Sequence, residues 1–168
     1  MIVSTCNRVE LLARSRNGGS DLRAFLGEYF QIDPRRFDQH LYEYVDKEVI
    51  RHLFRVTASL DSMVVGEPQV LGQVKEAYAV ARAVGAVNSQ LDALVTRAFA
   101  VAKKVRTETA VGSSAVSVAS VAVELAKKIF GSLTGKTVML VGAGKMCELA
   151  ARHLLTTPGS RSTRASTS

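Results

Sequence analysis

Apolar side chains recur at helical spacing through residues 46–130, and no other feature restricts the possible folds as strongly. The repeat divides into four predicted helices. Asp46 is placed to cap the first, Pro68 lies at the start of the second, and Ser89 with Asp92 resembles a capping box for the third. The predicted inward-facing residues are Val49, Ile50, Leu53, Phe54, Val56, Val70, Leu71, Val74, Tyr78, Ala81, Leu91, Leu94, Val95, Ala98, Val101, Val105, Val118, Val121, Leu125 and Ile129.

Residues 1–45 predict a small antiparallel sheet covered on one face by a helix. Extended runs at 2–3, 9–13 and 41–45 are rich in β-branched or aromatic residues and read as three strands. Ser20 is placed to cap the helix between the second and third strands. The apolar stripe of that helix is Leu22, Phe25, Leu26 and Tyr29.

The segment "KTVMLVGAGKMCELAARHLL", residues 136–155, predicts a buried strand, a glycine turn and a helix. Gly142 and Gly144 would allow backbone N–H groups to approach a pyrophosphate at the helix N-terminus. Cys147 stands where the third glycine of a dinucleotide fingerprint is expected. From these residues alone, a nucleotide site and a plain strand-to-helix turn both remain open.

The C-terminal residues "TTPGSRSTRASTS" contain no second apolar strand, which a complete dinucleotide-binding fold requires. We therefore expect an unstructured tail and a truncated or frame-shifted product. The predicted class is α+β: a small antiparallel sheet with a helix, a helical subdomain, and an incomplete Rossmann-type βα unit. The predicted parts are residues 1–45, 46–131, 132–155 and the tail 156–168.

Composition limits the classes of function. The chain has 22 Lys and Arg against 15 Asp and Glu, a formal charge of +7, which favours a polyanionic partner such as nucleic acid. No zinc-finger spacing accompanies the charge. No apolar run approaches the roughly 20 residues that span a bilayer, and two distant cysteines fit a reducing cytosol. We expect a soluble cytoplasmic protein without a metal site.

The stretch "VSTCNRVE" places Cys6 two residues before Arg8. If residues 6–8 are extended, both side chains point to one face, about 7 Å apart. The guanidinium would then lower the pKa of the thiol and hold a carboxylate beside it. The alternative is a cysteine that belongs to the core.

A second polar set follows in "SLDSMVVGEPQVLGQVK". Ser62, Glu67, Gln69 and Gln73 cluster around a turn and the first turns of a helix, and the two glutamines share a face. They fit an amino acid's ammonium and carboxylate, or equally a capped helix with solvated polar residues. His52, at the edge of an apolar helical face, is either a half-buried structural residue or a general acid or base.

Four stretches together resemble one family, glutamyl-tRNA reductase. The stretches occur in the same order as in that family, and the resemblance extends from residue 3 to residue 155. The stretches are "STCNRVE", "HLFRVTASLDSMVVGEPQVLGQVKEAY", "RAFAVAKKVRTETAVGSSAVSVASVAVELAKKIF" and "VMLVGAGKM". The resemblance implies NADPH-dependent reduction of glutamyl-tRNA to glutamate-1-semialdehyde through a thioester, the first step of tetrapyrrole synthesis.

The resemblance also implies roles for individual residues. Cys6 is the nucleophile, His52 is important for activity, and Arg8 neutralises the substrate carboxylate. The implied substrate-binding residues are Thr5, Asn7, Arg8, Ser62, Glu67, Pro68, Gln69 and Gln73. The implied NADPH phosphate loop is Gly142, Ala143, Gly144, Lys145, Met146 and Cys147.

Compared with the family, we expect this chain to lack an N-terminal strand, most of the NADPH domain and the helical region that forms the homodimer. It would then lack reductase activity but still accept the glutamyl group on Cys6. The resemblance implies glutamate-1-semialdehyde aminomutase as the next enzyme. The alternative is a non-enzymatic tRNA-binding or regulatory fragment; a generic NAD-dependent dehydrogenase would need a complete nucleotide fold.

Overall fold

A computed structural model describes residues 1–5, 7–15, 19–112, 117–156 and 164–166. Within these ranges the chain forms six α-helices, four three-residue strands and three short 3₁₀ turns. The elements are β1 (Ile2–Ser4), β2 (Val9–Leu11), α1 (Gly19–Phe30), 3₁₀ turns Pro34–Arg36 and Asp38–His40, α2 (Lys47–Thr57), α3 (Pro68–Ala83), α4 (Ser89–Glu108), 3₁₀ turn Ala110–Gly112, α5 (Val118–Phe130), β3 (Met139–Val141), α6 (Lys145–Leu155) and β4 (Arg164–Ser166). The predicted α+β class is confirmed.

Strands β1 and β2 form an antiparallel hairpin in the register Ile2↔Leu11, Val3↔Glu10 and Ser4↔Val9. The hairpin is closed by a bond from the Thr5 N–H to the Arg8 carbonyl (2.9 Å). Thr5 Oγ1 accepts from the backbone N–H groups of Asn7 and Arg8, at 3.2 and 3.1 Å. Asn7 lies in a bend, Arg8 closes the turn opposite Thr5, and neither residue belongs to a strand.

The predicted third strand at 41–45 is wrong, because those residues form no strand ladder. The alternating Tyr42 and Tyr44 both lay their rings against His52, with centroid distances of 5.5 and 4.5 Å. Alternating aromatic residues thus cover the side of α2 instead of pairing with the hairpin. Residues with high strand propensity fit any half-buried surface, so they also occur where an extended segment covers a helix and pairs with no strand.

The main core lies where α2, α3 and α4 pack together beneath β1. Val3, Val56, Val70 and Val74 form one buried cluster. Leu53, Tyr78, Val95 and Ala98 form the adjoining cluster. Apart from Val3, which belongs to β1, these residues were all predicted in the stripes of the first three helices of the repeat. The prediction for Ile50 is wrong, because it is 44% exposed.

Helix α1 contributes no fully buried residue, and Phe25 and Tyr29 of its predicted stripe are exposed. Its Leu22 and Leu26 line a pocket of about 190 Å³ together with residues of the hairpin and of α2. Arg23 anchors the helix to the following loop through Asp38 (3.4 Å) and Glu43 (2.7 Å). The helix begins at Gly19, so Ser20 lies in its first turn and not before it.

Two predicted caps differ in detail. Asp46 precedes α2 as expected, but its side chain makes no capping bond. Helix α4 is capped by Asn88, whose side chain accepts from the Leu91 N–H, and Ser89 is already helical. Asp92 instead accepts from the Tyr78 hydroxyl and joins α3 to α4.

Helix α2 ends in a Schellman motif with serine in the left-handed position. The Leu60 N–H reaches the Arg55 carbonyl at 2.8 Å, and the Ser59 N–H reaches the Val56 carbonyl at 2.9 Å. Ser59 has φ +59° and is completely buried. Glycine is the usual residue there, so the chain tolerates backbone strain at this point.

Residues 117–156 form a second packed unit of α5, β3 and α6 around Val123, Leu133 and Leu154. The predicted stripe of α5 is wrong, because Val121, Leu125 and Ile129 are exposed. The buried residues of α5 are Ala119 and Val123. A helix that is apolar on several sides offers more than one stripe, and small residues allow close packing.

The predicted tail also needs correction. Arg164–Ser166 forms β4, which pairs parallel with β3 in the register Met139↔Arg164. Main-chain groups make this ladder, so a search for a second apolar strand misses it. Residues 157–163, 167 and 168 lie outside the described part.

Across the described ranges, no helix combines the length and the apolar character that crossing a bilayer demands.

Candidate functional site

A small pocket lies between the hairpin turn, the loop that follows α2 and the first turns of α3. Most of its lining residues are polar and come from distant parts of the sequence. Its apolar residues come from the main core, from the loop after α2 and from the start of α5. The lining residues are Val3, Thr5, Asn7, Arg8, Glu10, Val56, Asp61, Ser62, Met63, Glu67, Gln69, Val70, Gln73 and Val118.

Most of the predicted substrate-binding residues meet in this pocket. Thr5, Asn7 and Arg8 come from the turn, and Ser62, Glu67, Gln69 and Gln73 come from the opposite wall. Pro68 does not line it; it occupies the first turn of α3, where its missing N–H is no loss. Cys6 lies outside the described residues.

The loop of residues 59–67 is held closed at its base. The Ser59 hydroxyl donates to the Glu67 carbonyl (2.7 Å), and the Gly66 N–H donates to the Ser59 carbonyl (2.8 Å). Gly66 has φ +87°, and a Cβ there would lie 2.5 Å from the Val111 carbonyl oxygen. Arg106 of α4 donates to the Gly66 carbonyl at 3.1 Å. These contacts fix the wall that carries Ser62 and Glu67.

Arg8 is engaged by two carboxylates. Its Nη1 donates to Glu10 Oε1 at 3.2 Å and to Asp61 Oδ2 at 3.0 Å, and its Nη2 donates to the Asp61 carbonyl at 2.6 Å. Burial alone would lower the pKa of Arg8, but the bonds to Asp61 and Glu10 outweigh burial and raise it. The same bond from Arg8 lowers the pKa of Asp61.

His52 lies behind these carboxylates and is not among the pocket-lining residues. Its Nε2 is 3.0 Å from Glu10 Oε1, and its Nδ1 is 3.5 Å from Asp61 Oδ2. The Tyr42 hydroxyl donates to the same Glu10 oxygen at 2.6 Å. Burial, followed by this bond to Glu10, raises the pKa of Tyr42. His52 therefore reaches the pocket only through Glu10 and Asp61.

Glu10 and Asp61 were not predicted as site residues. Glu10 reads as the outward residue of a short strand, and Asp61 as a loop carboxylate. The one sequence signal is an acidic residue two positions after Arg8 and another directly before Ser62. Their role depends on contacts across 53 residues of chain for Arg8 and Asp61, which spacing does not reveal.

The predicted phosphate loop joins β3 to α6. Gly142 has φ +110°, and Gly144 is the N-cap of α6. Cys147 turns its thiol back onto this loop, where Sγ donates to the Val141 carbonyl (3.3 Å) and lies 3.6 Å from the position of a Cβ on Gly142. A Cβ on Gly144 would meet nothing within 4 Å, so the helix N-terminus is open to a ligand.

These residues fit the pyrophosphate of a dinucleotide, because unpaired first-turn N–H groups meet open space beside Lys145. None of Gly142 to Cys147 lines the pocket at Arg8. No group of three His, Cys, Asp or Glu side chains in the described part is placed to hold a metal ion.

Comparisons with known proteins cover most of the chain. Residues 1–109 match the family described as glutamyl-tRNAGlu reductase, N-terminal domain, and residues 124–162 match shikimate / quinate 5-dehydrogenase. Glutamyl-tRNA reductase 2 of Koribacter versatilis is 72% identical over 92% of this chain and 36% of that protein. Glutamyl-tRNA reductase of Geobacter sulfurreducens is 56% identical over 92% of the chain and 36% of its own length.

The solved structure of glutamyl-tRNA reductase from Methanopyrus kandleri is similar at a TM-score of 0.51 and 38% identity, over 87% of this chain and 35% of that one. The chain thus spans little more than a third of the length of these relatives. The first family match alone covers more than half of the chain, through the turn, the 59–67 loop and α3. The chain belongs to the glutamyl-tRNA reductase family.

Proposed function

We propose that this chain carries the glutamyl-accepting site of a glutamyl-tRNA reductase, with Cys6 as the nucleophile. The observation that supports this most is the convergence of Thr5, Asn7 and Arg8 with the Ser62 to Gln73 wall on one pocket. Cys6 stands between Thr5 and Asn7 in the sequence, and both of these neighbours line the pocket.

In the proposed reaction the Cys6 thiolate attacks the carbonyl carbon of the glutamyl ester. A C–S bond forms and the C–O bond to the tRNA ribose breaks; the ribose oxygen takes the electron pair and a proton. The product on the protein is a thioester. Arg8 binds the side-chain carboxylate of the glutamyl group, and Gln69 and Gln73 supply amide groups for its polar atoms.

We propose that His52 assists as a proton donor or acceptor through Glu10, which lines the pocket and shares its Oε1 with Arg8 and His52. Glu10 and His52 have side chains that are each only 14% exposed. A proton that leaves the pocket through Glu10 can reach His52 along the hydrogen bond between them.

We further propose NADPH as the cofactor. When bound, it supplies the hydride that reduces the thioester to the aldehyde. Residues Gly142 to Cys147 would bind its pyrophosphate through the first-turn N–H groups of α6. In this proposal residues 1–131 form the catalytic domain, and residues 132–155 begin the NADP-binding domain.

The partners are part of the same proposal. The charge of +7 suits the tRNA backbone. We propose a cytoplasmic reaction because its substrate is an aminoacylated tRNA. A homodimer and transfer of the labile aldehyde to an aminomutase would follow in the full-length enzyme.

The test is to incubate the chain with tRNA carrying radiolabelled glutamate, without NADPH, and to trap the acylated protein with acid. We expect label on the wild type and on Cys147→Ser, which removes the other cysteine, but not on Cys6→Ser. Absence of label from a wild-type chain that still retains tRNA would instead favour a non-enzymatic tRNA-binding module.

A further inference from the structure

We propose that Asp61 is a positioning residue that fixes Arg8 so that one particular edge of its guanidinium, Nε–H with Nη2–H, binds the substrate carboxylate. The identity of the ligand rests on the proposed function. The geometry that carries the inference is the set of bonds between Arg8 and the loop after α2.

A guanidinium has five N–H donors in a rigid plane. Both terminal nitrogens of the Arg8 guanidinium donate hydrogen bonds to Asp61. Nη1 donates to the Asp61 Oδ2 (3.0 Å), and Nη2 donates to the Asp61 carbonyl oxygen (2.6 Å). The other Nη1 hydrogen goes to Glu10 (3.2 Å). Asp61 therefore binds both terminal nitrogens of the guanidinium, one with its side chain and the other with its main chain.

Within the described part of the chain, no hydrogen bond engages Nε–H or the second Nη2–H, which are parallel and lie on one side of the plane. Their spacing matches the two oxygens of a carboxylate. The ligand class is therefore a carboxylate bound by two parallel hydrogen bonds. An amide has only one acceptor oxygen, and its NH₂ group would face one of these donors.

Asp61 is itself held by groups other than Arg8. Arg55 Nη2 lies 4.0 Å from Asp61 Oδ1, and His52 Nδ1 lies 3.5 Å from Oδ2. The 59–67 loop is itself anchored by Ser59 and Gly66, so Asp61 holds Arg8 against a fixed wall.

The test uses the whole chain labelled with ¹⁵N, observing the Nε–H resonance of Arg8. Two probes are titrated: L-glutamic acid α-methyl ester, and L-glutamine α-methyl ester as its neutral counterpart. We expect the Arg8 signal to shift with the glutamate ester only. Asp61→Asn should weaken binding of the glutamate ester about tenfold or more, because it removes a charge-assisted bond. It should also reduce the ratio of the affinity for the glutamate ester to the affinity for the glutamine ester.

The matched control is Asp33→Asn. Asp33 also accepts from an arginine, Arg35, through both carboxylate oxygens, but it is exposed and lies away from the pocket. It should leave both affinities unchanged. The amide spectrum of each variant shows whether it is folded, so a weaker affinity in a folded Asp61→Asn chain is due to the loss of Asp61 and not to unfolding.

Equal affinities and equal preference in Asp61→Asn and wild type would overturn the inference, as would a wild-type Arg8 signal that does not respond to the glutamate ester. If the ester binds at Arg8 and the preference depends on Asp61, but Cys6 accepts no label from glutamyl-tRNA, the positioning role stands and the proposed function fails.

Discussion

The part of the chain up to residue 112 and the part from residue 117 to 156 are built from similar helices, but they close their cores to different degrees. In the first, Val74, Val95, Ala98 and Ala102 are completely inaccessible to solvent. In the second, the buried cluster is only Val123, Leu133 and Leu154, each still 5 to 7% exposed. Strand β3 leaves Met139 and Val141 about three-quarters exposed, at 75% and 76%.

This difference indicates where each part obtains its stability. The first part buries apolar residues from three helices and a strand around a single core, and the polar pocket is attached to that core through Val3, Val56 and Val70. The second part has one buried layer between α5 and α6 and an open apolar face. We therefore expect the pocket to be rigid in this chain and the loop between β3 and α6 to open more easily.

The largest contrast should come from placing the same charge in both parts. Val95→Asp buries an unpaired carboxylate at a fully inaccessible position, which costs about 4 kcal/mol or more and is comparable with the total stability of a domain. We expect loss of the cooperative thermal transition by circular dichroism. Val141→Asp, at an exposed position, should change the free energy of unfolding by no more than about 0.5 kcal/mol. Equal damage by both substitutions would show that β3 is covered and that the comparison is wrong.

An intermediate effect is expected from Leu154→Ala in α6. Leu154 is 5% exposed and is one of three buried residues, so its removal should cost about 2 to 3 kcal/mol. Amide hydrogen exchange should accelerate in α6 and in β3, while the amides of α4 keep their protection. If α4 loses protection to the same extent, the two parts unfold as one cooperative unit.

The smallest effect should be a change in the free energy of unfolding at acidic pH. Because Arg8 lowers the pKa of Asp61 below its unfolded value of about 3.9, the pair stabilises the fold at higher pH and that contribution is lost as the pH falls through the folded pKa. Urea unfolding from pH 7 down to pH 3 should therefore show a shallower loss of stability for Asp61→Asn than for wild type.

Glu124→Gln is the counterpart in the second part. Lys127 also lowers the pKa of Glu124, but this pair is on the surface and screened by solvent. The acid profile of Glu124→Gln should match that of the wild type. A profile altered as much as that of Asp61→Asn would remove the distinction between the pocket and the surface.

The sequence predicted the buried sides of α2, α3 and α4 well because the apolar residues of each helix lie mostly on one side. Val74 and Val95 were expected inside and are inside. On α5 the same method chose Leu125 and Ile129, which are exposed, because that helix has apolar residues on several sides and periodicity does not say which side packs. Tyr42 and Tyr44 show the corresponding limit for strands, since their alternation serves to cover His52.

Most of the pocket could be predicted because its two walls are short continuous stretches of sequence. What could not be predicted is how the charged groups are paired. Arg8 was expected to be free for substrate, yet Glu10 and Asp61 take three of its donors. Charged residues in short strands and loops look like ordinary surface residues until the folded chain brings them together.

Ser59 places two opposing demands on a single position. Glycine would adopt the left-handed backbone conformation of Ser59 with the least strain, but glycine has no hydroxyl to donate to the Glu67 carbonyl. Few other side chains satisfy both demands in a fully enclosed space. A substitution of Ser59 would therefore change the end of α2 and the wall of the pocket at Glu67 together.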